Sequence, residues 1–195
     1  MNRRNHGFRC SRRRQGGASM VEVLVSLFII LVALLGLTGL MVQSQAAQFE
    51  SYQRMQALQL AQDMVSRLTA NPKQAACYVT ATSVGTGYSG TPTCTGAVAG
   101  NAQDRAVKDM TEWDALLKGR AEQDSSGTKV GAVLGARGCV TAFTGNGVTN
   151  EYQVAVAWQG SIASFAPPAD IACGQNQYGT DTQRRAVSLV VHLPG

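Results

Sequence analysis

From Val23 to Val42 the chain carries no charged residue, and Leu, Ile, Val and Phe dominate. A helix of about 20 such residues, rising about 1.5 Å each, crosses the hydrocarbon of a bilayer, so this segment is membrane-inserted at some stage. Arg3, Arg4, Arg9, Arg12, Arg13 and Arg14 precede it, with no acid before Glu22. That asymmetry holds the N-terminus in the cytoplasm and sends the C-terminal part across. The chain is 195 residues long, which leaves room beyond the span for one ordinary domain and argues against a multidomain enzyme.

Three readings fit such a segment. A secretory signal peptide ends in a small-x-small site after a shorter apolar run, whereas here the polar stretch Gln43 to Gln48 continues a helical pattern. A plain signal anchor fits the charges and the length. Neither accounts for Glu22, a carboxylate at the edge of the span that costs a few kcal/mol unless something pairs with it.

The rest of the composition excludes more than it suggests. A net charge of +5 would suit a nucleic-acid binder, but beyond residue 17 eleven basic residues face twelve acidic ones. The excess belongs to the leader, so nucleic acid is not an expected partner. Arg184-Arg185 is the only basic pair of the C-terminal part, with Lys118 and Arg120 a looser cluster, and such pairs are ordinarily solvated strand or loop ends. His6 lies in the leader and His192 near the C-terminus, which rules out a His-rich metal site and reads as a solvated or strand-capping residue. Glu122 and Asp124 are too few for a calcium loop, so neither metal nor cofactor is expected. Apart from Cys10, the cysteines are Cys77, Cys94, Cys139 and Cys173, an even set with no CxxC, as in a disulfide-stapled extracytoplasmic domain. Of three connectivities, the one joining sequence neighbours closes the shorter loops: Cys77 with Cys94 and Cys139 with Cys173.

The third reading of the span comes from its frame, Gly16-Gly17-Ala18-Ser19-Met20-Val21-Glu22, in which a Gly closes the basic leader and a Glu falls five places later. This resembles the class III signal of type IV pilins and type II secretion pseudopilins. The resemblance implies that a prepilin peptidase removes residues 1–17 by cutting between Gly17 and Ala18, that Ala18 becomes the N-methylated first residue, and that the apolar segment is kept. Cutting after Gly16 would put Glu22 out of register. Ala18 departs from the Phe or Met usual in the family, and Gly36 and Gly39 stand where major pilins carry a Pro. Each Gly costs a helix about 1 kcal/mol and softens it locally. In a fibre core Glu22 would accept a charge-assisted hydrogen bond from a neighbour's N-terminal ammonium and so set register.

Past the span, Val42, Ala46, Phe49, Ala57, Leu60, Ala61, Met64, Val65 and Leu68 recur mostly at three- or four-residue steps, with glutamines filling much of the other face. This predicts an amphipathic continuation of one helix over 18–70, with its transmembrane part at about 21–42 and a stop at Asn71-Pro72. Residues 77–103 read as a Gly/Ser/Thr-rich loop, and 104–117 as a short helix with Trp113 in the core. Tyr152, Val154, Val156 and Trp158 alternate with Gln153, Ala155 and Ala157 as a half-buried strand. Residues 139–143 precede it across the turn signal Gly145-Asn146-Gly147, and 186–193 form a third candidate. Pro167-Pro168 and Cys173 mark a long loop before that last strand. The expected fold is α+β: a long N-terminal helix packed on an antiparallel head of three or more strands spanning 71–195.

Tyr152-x-Val154-x-Val156-x-Trp158, the following Cys, Arg184-Arg185 opening a last apolar strand, and Trp113-x-x-Leu116 resemble the minor pilins called type IV pilus modification protein, PilV. That resemblance implies a non-enzymatic subunit that takes part in starting or supporting pilus assembly. Its partners would be prepilin peptidase, other minor pilins and the major pilin, the inner-membrane assembly platform, and membrane lipid before assembly. The head would be periplasmic until the subunit enters the fibre. A type II secretion pseudopilin is the alternative within the same class. A membrane-anchored periplasmic enzyme or binding module is the alternative from another class.

Overall fold

The computed structural model describes residues 17, 19–94, 101–120, 133–143 and 150–194. The chain divides into two compact units, Met1–Gln45 and Ala46–Gly195. Helix α1, Met20–Ala70, contributes to both.

In the first unit the described part is the start of α1, apolar on every side: Val23, Leu24, Phe28, Ile30, Leu35 and Leu40 are all exposed. No face is covered, as in a helix made for lipid or for other helices. Its hydroxyls are satisfied within the helix, Ser26 donating to Glu22 O at 2.7 Å and Thr38 to Leu35 O at 2.8 Å. The softening expected at Gly36 and Gly39 does not break it; helical assignment runs through both.

In the second unit the remainder of α1 is followed by a 3-10 helix, Pro72–Tyr78, whose Pro at the start ends the α-helical pattern as the sequence predicts. Strand β1 (Val84–Gly85), helix α2 (Asn101–Leu117) and strands β2 (Arg137–Ala142), β3 (Glu151–Gln159) and β4 (Arg184–His192) follow. The four strands form one antiparallel sheet in the order β1-β2-β3-β4. The Gly145-Asn146-Gly147 turn lies outside the described residues.

One face of the sheet carries the main core. Helix α1 presents Ala57, Ala61, Met64 and Leu68 at steps of three and four, and α2 presents Ala106, Met110, Trp113 and Leu117. They meet Val140, Val154, Val156 and Trp158 from the strands, with Tyr78 and Leu193 closing the cluster. Trp113 is a core residue as expected, fully buried, its indole N–H donating to Leu60 O at 2.9 Å. Helix α2 comes so close to β2 that a Cβ on Gly138 would lie 2.6 Å from Trp113 Cζ3 and 2.7 Å from Leu117 Cδ1. Only glycine leaves room for that wedge.

The other face corrects the half-buried reading of β3. Gln153 through Trp158 are all buried, because the second face is also covered. Ala155 and Ala157 pack under Cys173 and Tyr178, whose loop lies across them. The alternation in β3 is therefore large against small, with a helix layer on one side and a loop layer on the other, and polarity does not report it.

Candidate functional site

At the N-terminus, Gly17 is exposed and non-helical, and nothing lies within 4 Å of where a Cβ would stand. Ala18 and Cys10 lie outside the described residues, as do Glu122 and Asp124. Ser19 opens α1: its carbonyl accepts from Glu22 N at 2.9 Å and its hydroxyl from Val21 N at 3.3 Å. The sequence reading passed over this cap, although Ser before an apolar helix is a standard N-terminal signal. Glu22 falls in the first turn of α1, where the helix dipole favours a carboxylate. Its side chain has no hydrogen-bond or ion-pair partner among the described residues. Among the described residues, the segment thus offers non-helical Gly17 and Ser19 before the helix and an acid in its first turn.

In the head the cysteines join as Cys77–Cys94 and Cys139–Cys173, the two pairs expected from sequence order. The first ties the 3-10 helix to the segment before α2. The second ties β2 to the loop that covers β3.

The basic pair departs from its expectation. Arg184 is only 1% exposed. Its guanidinium grips Asp181 in a fork, at 2.6 and 2.9 Å, and donates to the carbonyls of Ile171 and Cys173 at 2.5 and 3.1 Å. That ion-paired hydrogen bond holds the Asp181 carboxyl below the usual range. Arg185 pairs with Glu50 of α1 and donates to Thr182 O at 3.0 Å and Ile162 O at 2.5 Å. Neither arginine is a solvated strand end; one fastens the covering loop and the other links helix, loop and strand. The spacing Asp181…Arg184 was the available sign.

Arg67 plays the same part nearer the end of α1. It reaches Asp63 at 2.8 Å, Asp109 at 3.1 Å and Glu112 at 2.8 Å, bridging α1 to α2. Burial opposes its charge, but the bonds to Glu112 and Asp63 outweigh that and keep it firmly protonated, while Glu112 is lowered by the Arg67 bond. Tyr78 donates to Asp109 at 2.7 Å, and burial together with that bond pushes its pKa up to about 12. Asp114 accepts from Gly85 N at 2.8 Å and from Lys118 at 2.6 Å, which removes Lys118 from any free basic cluster. His192 is 66% exposed at its side chain and 3.8 Å from Glu151, its cross-strand neighbour. Among the described residues no three His, Cys, Asp or Glu side chains gather as metal ligands.

Residues 12–38 match the family described as the prokaryotic N-terminal methylation motif, and residues 39–116 match the Tt1218-like family, type IV pilin Tt1218. No curated protein and no solved structure matches the chain. The two matched segments adjoin and carry one helix, α1, from an apolar first half into a head with a four-stranded antiparallel sheet. The chain belongs to the type IV pilin superfamily. It is a type IV pilin with a class III prepilin signal.

Proposed function

We propose that the chain is a minor type IV pilin of the PilV kind, a low-abundance subunit that joins other pilins in starting or supporting fibre assembly. The observation that carries this is the methylation motif over 12–38 running directly into a type IV pilin match over 39–116. Prepilin peptidase cuts between Gly17 and Ala18 on the cytoplasmic side, and Ala18 is N-methylated. The mature subunit waits in the inner membrane on the apolar half of α1 with its head, residues 71–195, in the periplasm. It then passes through the assembly platform into the fibre. There Glu22 meets the ammonium of a neighbouring subunit in a dry core, a pairing whose loss is costly because it strands a buried charge. The head motifs Tyr152-x-Val154-x-Val156-x-Trp158 and Trp113-x-x-Leu116 support the PilV assignment.

Intact-mass analysis of the protein from membranes and from sheared fibres tests this reading. The expected species begins at methylated Ala18 in both fractions. A chain that keeps Met1, or one absent from fibres, contradicts it.

A further inference from the structure

The outer face of the sheet holds a cleft that the assembly role does not use. Its floor is the cross-strand pairs Cys139 with Ala155 and Thr141 with Gln153. One wall is the edge segment Thr80–Ser83, the other the disulfide-tied segment from Asp170 to Gln177. The edge wall is shaped by a bulge. Thr80 N donates to Val140 O at 2.9 Å and Val140 N to Thr80 Oγ1 at 3.1 Å, yet the next pair is Val84 with Gly138, so extra residues are pushed out of the ladder. The opposite wall is held by the Cys139–Cys173 bridge and by Arg184 gripping the carbonyls of Ile171 and Cys173.

The cleft measures about 350 Å³, at the small end of the range for small-molecule sites. Gln153 is 6% exposed, and its amide has no hydrogen-bond partner among the described residues although it borders the cleft. Thr82, Ser83, Thr141, Asp170, Gln175 and Gln177 also border it, with side chains equally without partners among the described residues. The Gln153 amide thus keeps donors and an acceptor free toward the cleft, beside hydroxyls and amides that can both donate and accept.

The lining also limits the ligand. Among the described residues it holds no Lys, Arg or His to meet a phosphate or carboxylate, no aromatic plate for an aryl group, and one acid, too few for a cation. The alanines among its lining, Ala81, Ala155 and Ala172, are small and leave room for the C–H face of a small ring.

We infer that this cleft binds a neutral, hydroxyl-rich ligand of about one pyranose ring, with Gln153 and Thr141 at its floor and Gln175 and Asp170 at its rim. The site lies wholly in the head, so its occupancy is independent of leader cleavage and fibre entry and can fail or hold separately from them.

The test uses the full chain in a detergent without a sugar headgroup and saturation-transfer NMR, with D-glucose, D-galactose, N-acetylglucosamine and glucose 6-phosphate as probes. Saturable transfer from at least one neutral sugar, weaker from the phosphate ester, is expected. Gln175→Ala, at an exposed position, should weaken it about threefold to tenfold, the effect of one neutral hydrogen bond. Thr141→Trp, also exposed, fills the cleft and should abolish it while the thermal melt stays unchanged. Absence of saturable transfer from all three neutral sugars, stronger binding of the phosphate ester, or binding untouched by a folded Thr141→Trp would overturn the inference.

Discussion

Arg184 shows how one side chain can carry a layer of the fold. It is a buried cation whose fork on Asp181 and bonds to two loop carbonyls engage four of its five N–H donors. Asp181, 28% exposed at its side chain, can turn to water when the guanidinium is removed, but the carbonyls of Ile171 and Cys173 lose their donor, and a buried carbonyl left unpaired costs about 1–3 kcal/mol. Arg184→Ala should therefore lower the unfolding free energy by roughly that amount, and Arg184→Lys should recover little, because an ammonium cannot form the fork. Chemical denaturation of the two variants measures this; a lysine variant as stable as the parent would show that charge alone suffices. Tyr78 makes a pH prediction of definite sign. Its folded pKa, about 12, lies above the ordinary 10.0, so its contribution is whole below pH 10 and is lost as pH rises from about 10 to about 12. Tyr178 is shifted the same way by burial. The melting temperature should fall over that window, and Tyr78→Phe should flatten part of the decline. A flat profile in the parent would contradict the buried tyrosines.

Among the elements, the loop that covers β3 owes its place to a bridge closing a separation of 34 residues. By loop-closure entropy such a bridge stabilises by about 3–4 kcal/mol. The Cys139→Ser/Cys173→Ser double variant should lose about that much, read from the urea midpoint, and should expose Ala155 and Ala157 to solvent. An unchanged midpoint would mean the loop is held by Arg184 and Tyr178 without it. The helices and the three long strands were legible in the sequence because their apolar periods differ plainly: three to four for Ala57, Ala61, Met64 and Leu68, two for Val154, Val156 and Trp158. Strand β1 was not, since a two-residue strand has no period to detect. The second covered face was hidden because Ala155 and Ala157 are small, and small residues occur at buried and exposed positions alike.

For the whole molecule, the proposed assembly role rests on residues that the head does not contain. Gly17 and Glu22 were singled out by the resemblance of their frame to a class III signal, and for Glu22 also because an acid inside an apolar segment is costly unless it is paired. The anchoring roles of Arg67 and Arg185 emerged only from their contacts, since a lone arginine in a sequence does not name its acid. The head's internal links and the N-terminal motif are separable, so a change at Glu22 should leave the head intact. The most direct measurement takes Glu22→Val in the native strain and compares the fraction of chain cleaved in membranes with the amount in sheared fibres. Cleavage at the parent level with loss of the subunit from fibres is the predicted result. Undiminished incorporation would contradict the account, leaving Glu22 as a residue that merely favours the start of α1.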